Sequence, residues 1–324
     1  GLIATHDRIT GGRSMMIIDG LVVSNLDREL LLQMQKGGLT AANCTTCVWD
    51  DFPSTMKNVA DLKKLIRDNS DIAMQIYTVA DIDAAKASGK VGIIVGWQNS
   101  TGFGDYLPHV NTFAELGLRI VQLTYNTANT AGCGCYESTD RGLTDFGRDL
   151  VDTLHESRIV VDLSHVGSVT ARDVIDYSSR PVAYSHCCPR ALKDHPRNKT
   201  DAEIRYIIDK GGFCGVASVP HFLARGIESD VHDFAAAVAH VVNIAGDERI
   251  GIGTDIAQGW GPDWFEMIAV DKGYGRRLTS FADVPVLKGL ERLDCYPNML
   301  DALAKAGLSS RVIENVVGRN WYEF

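Results

Sequence analysis

The chain has 324 residues, 45% hydrophobic and 23% charged, with a formal net charge of −9. This is an ordinary globular composition, large enough for one α/β barrel or two average domains. The acidic balance and the scattered basic residues argue against a nucleic-acid backbone or an anionic membrane as partner, and no stretch reaches the roughly 18 apolar residues of a membrane span.

The opening segment, "GLIATHDRITGGRS", contains His6 and shows no apolar leader with a small-residue cleavage site. After it, eight short apolar, β-rich runs follow in order: "MMIIDG", "LTAANCTT", "VGIIVGWQ", "IVQLTYN", "IVVDLSH", "PVAYSH", "GGFCGVAS" and "RIGIGTD". Segments of helical period separate most of them, among them "RELLLQMQKGG", "VADIDAAKASGK", "HVNTFAELG", "GRDLVDTLHES", "TARDVIDYSS" and "DAEIRYIIDKGG". Several close on Gly, and "SVTARDVI" and "KTDAEIRYI" open on N-cap residues. Strand–helix alternation of this kind predicts a parallel sheet covered by helices, closed as a (β/α)8 TIM-like barrel; an open doubly wound sheet is the alternative. No Gly-rich dinucleotide or Walker motif appears. The chain reads as a single barrel domain over 1–324, with 256–290 as an irregular, aromatic-rich loop over the mouth and 297–324 as closing helices.

Chemistry in such a barrel gathers at the C-terminal ends of the strands. Those ends carry Leu21 to Val23, Cys44, Gln98, Tyr125, His165, His186, Ser218 and Asp255. His165, His186 and Asp255 then converge on one mouth. Two imidazoles and a carboxylate suit Zn²⁺, Mn²⁺, Co²⁺ or Fe²⁺. Each of the two histidines follows a serine that could orient it. The plainer reading of a lone strand-end histidine is a hydrogen-bonded core residue; the shared Ser-His context and "GIGTD" shift the balance toward a site. His109, His155, His232 and His240 fall on helical segments, and His195 and His221 in loops are not expected to be ligands. Arg197 and Asn198, in "DHPRNK", could clamp a substrate carboxylate, although spacing alone favours a surface arginine.

Eight cysteines in a chain of this length are no disulfide scaffold and suggest a reducing, cytoplasmic setting. Cys44 and Cys47 form C-x-x-C, and Cys44, Cys135 and Cys187 could approach the mouth. Small apolar packing is the expected role of the cysteines; Cys187, beside His186, is the one considered as a further ligand.

"IDG", "GGLTAAN", "GIIVGWQN", "LGLRIVQLTYN", "GLTDFGRDLV", "VVDLSHVG", "PVAYSHCCPRAL…HPRN", "GGFCGV" and "IGIGTD" occur in the order expected of the membrane (renal) dipeptidase family, within the amidohydrolase superfamily. The resemblance spans nearly the whole chain. It implies a TIM-like barrel and a two-metal hydrolase, usually zinc, in which a bridging hydroxide attacks a peptide carbonyl. It also implies roles for residues. His165 and His186 match the ligands of the second metal, Arg197 with Asn198 the carboxylate clamp, and Asp255 the acid that handles the proton. The first-metal ligands are replaced: Leu21 and Val23 stand for His and Asp, Gln98 for the bridging Glu, and Tyr125 for the His that polarises the carbonyl.

Leu and Val ligate nothing, and neutral Gln bridges two cations poorly. The expectation is therefore one divalent metal, zinc first and Mn, Co or Fe otherwise, on His165 and His186, with Gln98 or Cys187 as further candidates. Asp255 and Tyr125 would be catalytic. The substrate would be a small carboxylate-bearing amino-acid or dipeptide-like molecule, and the oligomer a homodimer. Weak residual dipeptidase activity, a non-hydrolytic mononuclear (iron) enzyme on an N-substituted amino acid, and a non-catalytic binding protein are the competing readings.

Overall fold

A computed structural model describes residues 15–280, 283 and 286–324; His6 lies outside them. Among the described residues there are nine strands: β1 (Ile18–Val22), β2 (Ala41–Thr45), β3 (Ala73–Gln75), β4 (Val91–Trp97), β5 (Leu118–Gln122), β6 (Val160–Asp162), β7 (Ala183–Cys187), β8 (Phe213–Val216) and β9 (Ile250–Ile252). All pairings are parallel, and eight strands close a ring in the order β1, β2, β4, β5, β6, β7, β8, β9 and back to β1. This is the expected (β/α)8 barrel. The extra strand, β3, lies beside the first half of β4, which pairs with β5 only from Val95 onward. At three residues, β3 is too short to show a period in the sequence.

The strands are nearly all buried, as parallel strands covered on both faces must be. The helices supply the outer layer: α1 (Arg28–Lys36), α2 (Phe52–Asp68), α3 (Val79–Ser88), α4 (Pro108–Glu115), α5 (Asp145–Glu156), α6 (Ser168–Tyr177), α7 (Asp201–Asp209) and α8 (Val231–Ala245). Each turns one stripe inward. In α5 the stripe includes Leu150, Val151 and Leu154, and burying each such side chain stabilises the fold by about 1.5–3 kcal/mol. Of the two helix starts read from the sequence, one is capped as expected. Thr200 and Glu203 form a reciprocal capping box on α7. At α6 the cap is Gly167 rather than Ser168, and no side chain caps the helix.

Segment 256–290 is not irregular throughout. It forms α9 (Pro262–Ala269), whose Phe265 and Ile268 pack with Val23, Val48, Tyr125 and Ala257. An apolar helix thus lies across the mouth. The chain closes with α10 (Tyr296–Lys305), α11 (Ser310–Glu314) and α12 (Asn320–Glu323). Trp321 of α12 stacks on Phe213 at 3.8 Å and donates to Ile252 O at 2.9 Å. Gly20 makes this possible, since a Cβ there would stand 2.5 Å from the indole.

Candidate active site

Strands β6 and β7 bring the two Ser-His pairs side by side. His165 Nε2 and His186 Nε2 stand 3.1 Å apart, and both residues are buried. Behind them, Asp162 accepts the backbone N–H groups of Ser164 and Ser185 and the hydroxyls of both serines. With its proton committed to Asp162, Ser185 Oγ accepts from His186 Nδ1 at 2.8 Å. Asn126 Oδ1 accepts from His165 Nδ1 at 2.6 Å. Both ring protons therefore sit on Nδ1, and two Nε2 lone pairs face each other.

Facing lone pairs at this separation repel unless a cation or a proton lies between them. A shared proton is disfavoured, because burial, and then the Arg197 guanidinium, push both imidazoles well below their ordinary range. The pair fits a metal instead: nitrogens bound to one tetrahedral zinc stand roughly 3.3 Å apart, given Zn–N distances of about 2.0–2.1 Å. The carboxylate–serine–histidine relay is the kind of outer support metal-binding histidines receive. The fit extends to two donors. Among the described residues no group of three His, Cys, Asp or Glu could hold a metal, so remaining positions fall to water or substrate. Replacing Ser185 with Ala, or Asp162 with Asn, should weaken metal binding about 10–100-fold. Competition with a chromophoric chelator measures this; unchanged affinity would show that the relay does not orient the pair.

Two cations lie beneath the histidines. Arg197 is 1% exposed and donates to Ser164 O at 2.6 Å and His186 O at 2.8 Å. Lys199 is 2% exposed and donates to Val166 O at 3.1 Å. Together they hold the backbone on both sides of His165. Arg197 Nε is buried without a hydrogen-bond partner among the described residues.

Asp255 follows β9 in a left-handed conformation, φ 64°, which Asp tolerates better than most residues. Burial pushes its carboxyl up to about 7 despite the lowering effect of Arg197. Tyr125 stacks on His165 with ring centroids 4.3 Å apart, and burial raises its hydroxyl, which stays protonated at neutral pH. Asp255, Tyr125, Gln98, Val23 and Trp264 line one small cavity of about 10 Å³, the size of a single water probe. Leu21 and Val23 are buried at the end of β1, where they offer no ligand.

Three further candidates from the sequence take the following partners. Cys187 turns away from the histidines, its Sγ 3.4 Å from Cys214 Sγ, because neighbouring strand residues face opposite ways. Asn198 donates from its amide to Lys193 O and Phe222 O and fixes the loop carrying Arg197. Gln98 donates to Thr45 Oγ1 at 3.1 Å, toward β2. Sequence reading missed Asn126, Asp162 and Lys199. An Asp ending the apolar run "VVD" was a usable signal, since a buried carboxylate needs several donors; Asn126 and Lys199 gave none.

The membrane dipeptidase (peptidase family M19) description matches residues 27–267, beginning after Leu21 and Val23. An uncharacterized dipeptidase of Schizosaccharomyces pombe is 25% identical over 285 residues, 85% of this chain and 62% of that protein. A dipeptidase of Claviceps purpurea is 25% identical over 82% of this chain and 58% of its own length. The chain thus spans about three fifths of these curated relatives. An amidohydrolase from Pseudomonas aeruginosa superposes with a TM-score of 0.94 at 46% identity, covering 100% of this chain and 97% of that one. A metallo peptidase from Rhodobacter sphaeroides, liganded with a phosphinate mimic of the dipeptide L-Ala-D-Ala, shares the fold at a TM-score of 0.80 and 19% identity, over 96% and 98% of the two chains. With the family matching about three quarters of its length, the chain belongs to the membrane dipeptidase family, M19.

Proposed function

We propose that this chain is a dipeptidase-like metallohydrolase acting on a small carboxylate-bearing amino-acid or dipeptide-like substrate, with one divalent metal rather than two. The observation that carries the reading is the facing pair of Nε2 lone pairs at 3.1 Å, beside a strand-one end occupied by Leu21 and Val23. His165 and His186 would hold the metal, zinc first with Mn, Co or Fe as alternatives. When bound, it would supply Lewis acidity to a substrate oxygen or a water.

The other roles belong to the chain itself. Asp255, with a carboxyl near 7, takes up the proton released as water attacks and returns it to the leaving amine. Tyr125 donates a hydrogen bond to developing negative charge. Arg197 supplies the positive potential that favours a substrate carboxylate, while Asn198 holds its loop. The cavity beside Asp255 is the size of a single water, so a dipeptide reaching that point would displace the α9 side chains that line it, Trp264 and Ile268. A cytoplasmic location is inferred from eight free cysteines, and a homodimer from the family resemblance alone. Among the described residues no helix is long and apolar enough to cross a membrane.

The test is a panel of dipeptides, including forms with a C-terminal D residue, and N-substituted amino acids, assayed with added Zn²⁺ or Mn²⁺. The reading predicts metal-dependent release of amino acids from at least one class. Absence of any cleavage would leave a binding protein as the better account.

A further inference from the structure

The opposite end of the barrel, where the strands begin, holds a cavity of about 650 Å³, within the range of small-molecule sites. Arginines from separate segments line it. Arg158 precedes β6, Arg180 precedes β7, Arg249 precedes β9, and Arg319 comes from the C-terminal helices. Two glutamates, Glu248 and Glu323, also line it, so its lining side chains carry an excess of two positive charges, in a chain whose formal net charge is −9. Arg319 makes one long ion pair, 3.9 Å to Glu323; the other three show none among the described residues. Arg158 holds its place at φ 57°, a left-handed position after a helix where glycine is the usual occupant.

A second observation is independent of the arginines. His155 of α5 lines the same cavity, is 4% exposed, and its Nε2 has no hydrogen-bond partner among the described residues. Such a nitrogen loses hydration without compensation in the folded protein unless something polar reaches it.

We propose that this cavity binds a small phosphorylated molecule. One carboxylate is satisfied by a single guanidinium fork. A phosphate group brings up to two charges and three acceptor oxygens to one point, and so uses several arginines from different segments together. The site lies at the end of the barrel away from the histidine pair, and it does not rest on the proposed hydrolase function.

The test is isothermal titration of the full chain with pyrophosphate at low salt, with citrate as the carboxylate control. The wild-type chain should bind one pyrophosphate, and citrate at least tenfold more weakly. The Arg180→Gln/Arg249→Gln double variant should lose at least tenfold in pyrophosphate affinity with an unchanged melting curve. His186→Ala, at the far end, should bind pyrophosphate as wild type does. The proposal is overturned if wild type does not bind, if the double variant binds equally well, or if citrate binds as tightly as pyrophosphate.

Discussion

Asp255→Asn should lower kcat/KM by about 10²–10⁴-fold, the range expected when a positioned general base is removed. The same residue should shape the pH profile. The working base is the ionised carboxylate, so kcat/KM should rise with pH through about 7 and then level off. Burial is the main cause of the raised value, the Arg197 guanidinium opposes it, and Asp19 adds to it. Stability should move in the opposite direction. A carboxyl whose folded pKa lies above its unfolded one contributes stability that is full below about pH 4 and is lost as pH rises through about 7. Asp255→Asn should therefore melt at higher temperature than wild type at pH 8, and the difference should shrink at pH 5. A variant with full activity and an unshifted pH profile would remove Asp255 from the chemistry.

Arg197→Ala should destabilise the metal-free chain by about 2–4 kcal/mol. In the structure its guanidinium spans two backbone carbonyls, Ser164 O and His186 O, and its removal leaves both buried acceptors without their charged donor. For a chain of this size that is a fall in Tm of several degrees. Arg197→Lys should recover only part of it, since one ammonium cannot reproduce a planar fork bonded to two carbonyls. An arginine that served only to meet substrate would give a different result, with Tm unchanged and KM raised. Calorimetry without added metal, beside KM for any substrate found, separates the two.

The barrel was legible because its evidence is periodic: eight apolar runs, each bounded by turn or cap residues, with helical segments between them. β3 was not, since three residues carry no period. The histidine pair was legible from the repeated Ser-His strand ends and from the barrel rule that places such ends at one mouth. What supports the pair was not. Asn126 reaches His165 across 39 residues of sequence, and Arg197 reaches Ser164 O across 33, contacts that only the closed barrel creates. Cys187 misled by adjacency: being next to His186 on a strand placed it on the other side. In the sequence the mouth segment looks irregular, because its aromatic residues, including Trp260 and Trp264, carry no clear helical stripe; α9 finds its buried face only against Val23 and Tyr125.

Metal content of the purified chain, by inductively coupled plasma mass spectrometry beside a His165→Ala control, tests the central claim most directly. One metal per chain, lost in the control, is the predicted result, and its identity distinguishes hydrolytic zinc from redox-active iron. Two metals per chain would contradict the account, because Leu21, Val23 and Gln98 would then not have closed the first metal position.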